Sequence, residues 1–306
     1  MTLPTLALGI PSYGPFFPQG ELHGVVKVAQ LAEEAGVDSV VLPDHVVMSD
    51  QTQRYEWGAF PLPIETPWLE PMTVLAAIAG ATSRVRLATG ILIAPLRPAV
   101  VLAKTAATLD VLSQGRLDLG VGTGWQKEEF DAVGLDYAKR GLLLTEMIAA
   151  CRALWGPSPT DFESETVRFE NIWCEPKPVQ KELPIFFSGT LTKRNMYRLT
   201  HLGDGWIPIM GETVDGMTEG IARIKQAWTE NGRDADKLRV RGTLTVAQGA
   251  QGRPNLKKTL EGAHDLGVRG ATEVQLQMLA FVRKPDGAAA FFDELRETWA
   301  AVRAAG

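Results

Sequence analysis

The sequence predicts an α/β fold, a (β/α)8 TIM barrel, with an extended loop after strand 2 and an insertion between strands 4 and 5. Two observations support this prediction. Short apolar runs rich in β-branched residues alternate with longer stretches of helical period, a pattern typical of a parallel sheet covered by helices. Eight such alternations occur along 306 residues, and roughly 250 residues are enough for the eight strand–helix units of a barrel.

The predicted strands are short, and every one is followed by a helical segment. Strands are predicted at residues 6–11, 39–43, 85–93, 116–121, 184–188, 205–209, 240–247 and 273–278. The clearest helices are VVKVAQLAEEAG, EPMTVLAAIAGAT, PAVVLAKTAATLDVLS and RGLLLTEMIAACRALW, each with apolar residues three and four positions apart. No Pro/Gly/Ser-rich linker divides the chain. We therefore expect residues 1–306 to form a single barrel domain, with a doubly wound sheet as the alternative.

Composition and charge indicate a small-molecule ligand. The net charge of −5 offers no basic field to nucleic acid or anionic lipid. No basic leader and no stretch of about 18 apolar residues occurs, so we expect a cytoplasmic protein without a membrane partner. Cys151 and Cys174 have neither CxxC spacing nor a disulfide pattern, and we interpret both as structural. Motifs such as HExxH, Walker A and GxSxG are missing, and we expect no metal.

Two departures from a bare barrel are expected. Residues 45–68, after strand 2, form a connection far longer than usual, and long connections commonly act as lids or binding loops. Residues 157–183 alternate in polarity and then become proline-rich, which predicts a surface hairpin and an extended connector. The aromatic side chains of the long loop either line a substrate pocket or only pin the loop to the barrel. They are Tyr55, Trp57, Phe60 and Trp68.

A carboxylate and an imidazole stand together at the end of strand 2. The carboxyl ends of barrel strands form the catalytic face, which makes Asp44 and His45 candidate active-site residues. An imidazole titrates near neutral pH and can exchange a proton with a substrate or hydrogen-bond a cofactor. The alternative is that Asp44 caps the following turn and His45 only packs. His23, His201 and His264 fall in helical segments and are not expected to take part.

Glycines mark two further positions at this face. Gly90 lies within strand 3, where a glycine often marks a bulge or the close approach of a ligand. Gly120, Gly122 and Gly124 precede a predicted helix whose N-terminal N–H groups can bind phosphate. This turn lacks the GxGxxG spacing of dinucleotide sites. It looks like the LDLGxGTG motif of S-adenosylmethionine methyltransferases, but three strand units precede it and a helix, AKRGLLLTEM, follows it.

Charged residues flank the loops after strands 4 and 5. Glu128 and Glu129 fall in the first turn of a helix, where carboxylates complement the helix dipole, and we interpret both as structural. Residues 188–190 precede another helix, with Lys193 and Arg194 in its first turns. Cations at this end of a helix oppose its dipole. Their presence favours an anionic partner, such as a phosphate or a carboxylate tail.

Several segments together resemble the luciferase-like monooxygenase superfamily. They are VVLPDHV, SRVRLATGILIAPLRPAVVLAKTAATLDVLSQGRLDLGVGTGWQKEEFDAVG, CEPKPVQ and LGDGWIP, and the resemblance spans about residues 5–280. The PDH segment, the run from strand 3 into the GTGW turn, and RGLLLTEMIAACRALW most resemble its actinobacterial branch of oxidoreductases, which use the deazaflavin coenzyme F420. Homodimers are common in this family, so the resemblance also implies a homodimer.

The resemblance implies that a cofactor binds at the C-terminal mouth of the barrel. Asp44 and His45 would face its ring, and a non-prolyl cis bond between Gly90 and Ile91 would support the ring from behind. In the sugar-phosphate dehydrogenases of the family a glutamate follows the Thr-Gly pair, whereas this chain has Trp125, so oxidation of sugar phosphates is not implied. The ribityl and phosphate portion would be held by Thr123, Gly124, Trp125, Ser188, Gly189 and Thr190.

The resemblance implies F420-dependent transfer of hydride between the cofactor and a small organic alcohol, carbonyl compound or activated alkene, with His45 as the proton partner. The alternative is FMN-dependent monooxygenation on the same barrel, because many relatives bind FMN. In both cases the cofactor carries the redox chemistry, and the protein supplies positioning and electrostatics. An S-adenosylmethionine-dependent methyltransferase and a non-catalytic ligand-binding barrel are remoter alternatives.

Overall fold

The strands of the protein are short, as the sequence predicts. The structure, a computed structural model, describes residues 3–18 and 20–305. The strands within them are β1 (Thr5–Gly9), β2 (Ser39–Leu42), β3 (Arg86–Thr89), β4 (Leu92–Ile93), β5 (Leu117–Gly122), β6 (Thr160–Glu163), β7 (Arg168–Ile172), β8 (Ile185–Ser188), β9 (Gly205–Ile207), β10 (Arg239–Thr243) and β11 (Glu273–Gln277).

Strand pairing closes the main sheet on itself. β1 pairs in parallel with β2 on one side and with β11 on the other. From β2 the order continues through β3, β5, β8, β9, β10 and β11, and all of these pairs are parallel. β4 continues the third strand position and also pairs with β5. The predicted (β/α)8 TIM barrel is therefore confirmed, and the doubly wound alternative is wrong.

Helices follow every strand position of the barrel and cover its outer face. They are α1 (Val25–Glu34), α2 (Pro71–Ala81), α3 (Ala99–Leu112), α4 (Lys127–Ala132), α5 (Arg140–Trp155), α6 (Lys193–His201), α7 (Val214–Glu230), α8 (Leu256–Val268) and α9 (Ala288–Ala305). Both α4 and α5 follow β5. Across the described ranges, no helix combines the length and the apolar character needed to cross a membrane.

Both expected departures from a bare barrel are present. The loop between β2 and α2 contains one short 3-10 helix, Thr52–Arg54, and returns to the barrel where Trp68 bridges to Tyr13. The insertion after α5 forms an antiparallel hairpin from β6 and β7. Cys151 and Cys174 are buried and not bonded to each other, which agrees with their interpretation as structural.

The third strand position is interrupted where the sequence indicated a bulge. One strand was expected over residues 85–93, but β3 ends one residue before Gly90 and β4 begins one residue after Ile91. The peptide between these two residues is cis, the conformation that the family resemblance implies. The Gly90 N–H donates to the carbonyl oxygen of Leu42 at 2.8 Å. This bond keeps the bulge attached to the second strand.

The residues that point into the barrel just below its mouth have small side chains, which leaves room for a ligand above them. In β1, Leu6 and Leu8 pack outward into the main hydrophobic core, whereas Ala7 lies inside the barrel with Val41 and Ala88. Successive strand residues point to opposite faces, so the inner row of β1 continues from alanine to a glycine at its carboxyl end. The space above this layer is therefore available to a ligand.

A buried network of charges occupies the amino-terminal end of the barrel interior. Asp118 accepts hydrogen bonds from Arg86 at 2.7 and 2.8 Å and from Arg239 at 2.8 and 3.1 Å. Arg239 also pairs with Glu273, which accepts from Arg241 at 3.0 Å. These residues link β3, β5, β10 and β11 at the end of the barrel opposite the catalytic face. The network therefore serves stability.

Gly90→Ala is expected to destabilise the protein by about 1–3 kcal/mol, because it overpacks the inner face of the barrel. A Cβ built at Gly90 would lie 2.4 Å from Cγ1 of Val41, and a β-branched side chain has few alternative rotamers. The measurement is the free energy of unfolding in urea. The double variant Gly90→Ala/Val41→Ala removes the obstructing methyl group and should recover part of the loss. Simple additivity of the two single variants would contradict the steric explanation.

Candidate active site at the barrel mouth

A cavity of about 290 Å³ opens at the carboxyl ends of the barrel strands. Among the residues that the structure describes, no charged side chain lines it, and its polar residues are Tyr13, Gln275 and Gln277. A Cβ at Gly9 would lie 2.2 Å from the amide oxygen of Gln277, so a larger residue there would displace this amide from the cavity wall. The cavity therefore suits a neutral ligand. Its other lining residues are Gly9, Ile10, Val41, Pro43, Gly90, Met210 and Leu279.

His45 lies in the segment that leaves β2, two residues after Pro43, which lines this cavity. Its ring packs edge-on against three aromatic rings, with centroid distances of 4.8 Å to Trp68, 5.8 Å to Trp125 and 6.2 Å to Phe60. Nδ1 lies 3.1 Å from a carboxylate oxygen of Glu129. Among the residues that the structure describes, no further hydrogen bond reaches the ring, whose side chain is 10% exposed. The imidazole is therefore held at Nδ1 and available at Nε2.

Glu129 is the site residue that the sequence interpretation missed. It lies in the first turn of α4, as predicted, but its side chain is fully buried and binds the chain that leaves β2. One carboxylate oxygen contacts His45, and the other accepts the Val46 N–H at 2.8 Å. Its neighbour Glu128 instead pairs with Arg54 at 3.1 Å. The sequence signal for this role was the pair of adjacent acids, Glu128 and Glu129. Where a short helix packs on the barrel, one of two such neighbours can face inward while the other faces solvent.

Asp44 is buried, and protein groups engage both of its oxygens. Oδ2 accepts the Ile93 N–H at 2.8 Å and Nη1 of Arg97 at 2.7 Å, and Oδ1 accepts Nη2 of Arg97 at 3.0 Å. Arg97 also donates to Glu70 at 2.8 Å. Asp44 therefore does not cap the following turn. It ties the end of β2 to β4, immediately after the bulge.

The long loop contributes an aromatic cluster, defined here as Tyr55, Phe60 and Trp125. Its ring centroids lie 5.3 Å apart between Tyr55 and Phe60, 5.3 Å between Tyr55 and Trp125, and 5.5 Å between Phe60 and Trp125. Trp125 comes from the loop after β5, so the cluster joins two loops over the rim. Trp57 contacts Tyr55 at 5.2 Å and is exposed at the periphery.

Trp68 connects the long loop to the cavity. It stacks on Tyr13 at a centroid distance of 4.5 Å, and Tyr13 lines the cavity. The structure thus brings two of the four predicted loop aromatics, Phe60 and Trp68, against His45, while Tyr55 packs on Phe60 and Trp57 stays at the periphery. The loop is also pinned to α4, where Gln126 Nε2 donates to the carbonyl oxygen of Ser49 at 3.2 Å. The structure therefore shows the pinning, whereas none of the four loop aromatics is among the residues that line the cavity, and their place in a substrate pocket stays a prediction.

Two small-residue loops follow β5 and β8, and each turns at a glycine. Gly124 has a φ of +71° and Gly189 a φ of +112°, a region that glycine occupies without steric cost. Buried Asn195 holds the second loop, because its Nδ2 donates to the carbonyl oxygens of Ser188 at 3.3 Å and Thr190 at 3.1 Å. The backbone of this loop is therefore fixed from within the protein.

Three hydroxyl groups on these loops are available to a ligand. The side chains of Thr123, Ser188 and Thr190 are at least partly exposed, and none of them makes a hydrogen bond within the described ranges. A hydroxyl offers one donor and two acceptor positions. The two loops can therefore bind a polar chain that runs across the mouth from β5 to β8.

α6 carries three cations without carboxylate partners among the described residues, Lys193 and Arg194 at its start and Arg198 in its last turn. Lys193 and Arg194 are exposed. Arg198 is buried and donates to the carbonyl oxygen of Gly141 and to the hydroxyl of Thr145. Burial and the nearby charge of Arg194 lower the pKa of Arg198 to about 10. This positive region favours an anionic ligand group, as the sequence indicated.

The other three histidines do not line the cavity. His23 is in a short 3-10 helix, His201 ends α6, and His264 lies within α8. That they take no part in the site stays a prediction.

Two solved structures share the fold of this chain. The F420-dependent secondary alcohol dehydrogenase, in complex with an F420–acetone adduct, has a TM-score of 0.75 at 17% identity, covering 98% of this chain and 99% of that chain. The oxygenating constituent of 3,6-diketocamphane monooxygenase from Pseudomonas putida, in complex with FMN, has a TM-score of 0.73 at 15% identity, covering 97% and 96%. At these identities the likeness extends to the fold alone.

Sequence comparison identifies the family. The model described as luciferase-like monooxygenase matches residues 6–252. An uncharacterized protein of Mycobacterium tuberculosis is 34% identical over 210 residues, which cover 67% of this chain and 74% of that relative. The family match spans most of the barrel, including both loops of the mouth and the His45–Glu129 contact. The chain therefore belongs to the luciferase-like monooxygenase family.

Proposed function

We propose that this protein is a coenzyme F420-dependent oxidoreductase that transfers hydride between the deazaflavin and a small neutral alcohol, carbonyl compound or activated alkene. The observation that carries the proposal is the placement of His45. Its Nδ1 is held by Glu129, its Nε2 has no partner among the described residues, and it follows by two residues Pro43 of an uncharged cavity. Oxidation of an alcohol needs a proton acceptor in a site that excludes water. This arrangement supplies both.

The residues at the mouth fit a flavin-type cofactor. The free hydroxyls of Thr123, Ser188 and Thr190 suit a ribityl chain, and the cations Lys193 and Arg194 suit a phosphate at the start of α6. The layer of small inner residues leaves room for a ring beside the bulge. FMN has the same ribityl phosphate, so FMN-dependent monooxygenation is the alternative function for this site.

One feature favours F420 over FMN. The sequence segments that resemble the F420-dependent branch, VVLPDHV and the GTGW turn, are the segments that meet at the site, where the ring centroids of His45 and Trp125 lie 5.8 Å apart. This feature supports the hydride-transfer function.

Bound F420 would supply the hydride acceptor or donor. The residues of the chain would transfer the proton, exclude water and orient the substrate. In the oxidation of an alcohol, Nε2 of His45 accepts the hydroxyl proton as hydride leaves the carbon, and a carbonyl compound forms. In the reverse direction the same nitrogen returns the proton. The aromatic cluster keeps water from the rim, and the amides of Gln275 and Gln277 can orient the substrate oxygen.

Lys193→Ala/Arg194→Ala is expected to weaken F420 binding by about ten- to hundredfold, because two charged contacts to phosphate are lost. The measurement is the dissociation constant at several salt concentrations, and the variant should also show a weaker salt dependence. Lys257→Ala/Lys258→Ala is the matched control, since these two exposed cations lie in the first turn of α8. An equal loss in the control would contradict the placement of the phosphate at α6.

The proposed function is tested by turnover. The protein is mixed with F420 and a panel of alcohols, and loss of the absorbance of oxidised F420 is followed. We expect oxidation of neutral alcohols and none of phosphorylated ones, because no charged side chain lines the cavity. Oxygen consumption with reduced FMN, together with no turnover of F420 by any substrate, would overturn the proposal and favour the monooxygenase.

A further inference from the structure

The contact between His45 and Glu129 joins two loops of the mouth. His45 follows β2, Glu129 lies in α4 after β5, and the two residues are 84 positions apart in the chain. Oε2 of Glu129 lies 3.1 Å from Nδ1 of His45, and Oε1 accepts the N–H of Val46 at 2.8 Å. The Glu129 side chain has no exposed surface. Both of its oxygens are therefore engaged by consecutive residues of one segment.

The chemistry of these two contacts fixes the proton on the imidazole. A carboxylate oxygen only accepts hydrogen bonds, so Nδ1 of His45 is the donor. The N–H of Val46 is a fixed donor and occupies the other oxygen. A neutral imidazole free in water prefers its proton on Nε2. The contact with Glu129 selects the opposite tautomer, in which Nε2 carries no proton.

We infer that Glu129 is the positioning residue that holds His45 in the Nδ1–H tautomer, so that Nε2 is the proton acceptor of the site. The catalytic consequence rests on the proposed function, whereas the tautomer itself does not. Glu129 acts through His45, in the way that a buried carboxylate orients a catalytic imidazole in other enzymes.

No other charged group among the described residues can replace Glu129 in this task. Asp44, next to His45 in the chain, has both oxygens engaged by Arg97 and the Ile93 N–H. The other side chains packed against the ring are the aromatic rings of Phe60, Trp68 and Trp125, which offer no carboxylate. The tautomer of His45 therefore depends on Glu129 alone.

The isosteric variant Glu129→Gln should invert the tautomer. A carboxylate has two acceptor oxygens, but an amide has one oxygen and one NH₂ group. The N–H of Val46 cannot change, so the amide oxygen would turn toward Val46 and the NH₂ group toward Nδ1 of His45. Nδ1 would then become an acceptor, and the proton would move to Nε2. Glu128→Gln is the matched control, because Glu128 pairs with exposed Arg54 and does not contact His45.

The test is ¹⁵N NMR of the full chain without cofactor, labelled at its four histidines and recorded where the His45 ring is neutral. His45→Asn identifies the His45 signals by their loss. We expect Nδ1–H in the wild type and in Glu128→Gln, and Nε2–H in Glu129→Gln and Glu129→Ala. An Nε2–H ring in the wild type, or an unchanged tautomer in both Glu129 variants, would overturn the inference.

Turnover gives the second readout. Glu129→Gln should lower kcat by about 10²-fold or more, because the wrong tautomer presents a proton where an acceptor is needed. A full kcat in a Glu129→Gln protein with inverted tautomer would overturn the catalytic part of the inference. If the wild type shows the Nδ1–H tautomer but never reacts with F420, the proposed function fails while the role of Glu129 in holding His45 stands.

Discussion

His45→Ala is expected to lower kcat for alcohol oxidation by about 10²–10⁴-fold, the usual range for loss of a general base. The dissociation constant of F420 should change by less than about tenfold, since the ring is held at one edge by Glu129 and offers only Nε2 to the mouth. The measurements are steady-state kinetics with saturating F420 and a separate binding titration. Comparison of the two shows whether His45 acts in the reaction or in binding.

His23→Ala is the control for this prediction, because His23 is exposed in a 3-10 helix before α1 and lies outside the cavity. It should leave both kcat and F420 binding unchanged. Parallel losses of turnover and of cofactor binding in His45→Ala would contradict a proton-transfer role. They would make His45 a binding residue.

Asp118→Ala is expected to destabilise the protein by about 1–3 kcal/mol, because it removes the buried carboxylate whose hydrogen bonds join two partly buried arginines. Asp118 is fully buried and lies between Arg86 and Arg239. The measurement is the free energy of unfolding in urea. Asp131→Ala is the control, since Asp131 forms an exposed pair with Lys127 and such pairs contribute at most about 1 kcal/mol. Equal effects of the two substitutions would contradict the role of the buried network.

The same residue gives a stability difference that depends on pH. Burial alone raises the pKa of Asp118, but hydrogen bonds from Arg86 and the charge of Arg239 outweigh it and lower the pKa to about 2. A carboxyl with a pKa lower in the folded than in the unfolded state stabilises the fold above its unfolded pKa, about 4. This contribution is lost as the pH falls toward 2. The stability gap between wild type and Asp118→Ala should therefore shrink over that interval.

The sequence predicted the features that depend on local pattern. Alternating strands and helices give the closed barrel, and the glycine inside the third strand marks the bulge, because a strand interior gains nothing from a residue without a side chain. The length of the loop after β2 predicted a departure from the bare barrel, and the pinning of this loop to the barrel was one of the two roles expected of its aromatic residues. The position of His45 followed from the rule that the carboxyl ends of barrel strands face the active site.

The sequence did not predict the features that depend on long-range contacts. The bond from Asp44 to Arg97 spans 53 positions, and that from Asp118 to Arg239 spans 121. Such pairs are set by which strands become neighbours in the closed sheet. For the same reason Glu129 was assigned to the helix dipole alone, since only the folded chain shows that α4 brings it to His45.

Binding of F420 tests the central claim most directly. The cofactor-free protein is titrated with F420 and, separately, with FMN, and quenching of each cofactor's fluorescence is followed. The account predicts saturable binding of F420, weakened in Lys193→Ala/Arg194→Ala, and much weaker binding of FMN. Tighter binding of FMN would contradict the assignment and favour the monooxygenase, and binding of neither cofactor would contradict both.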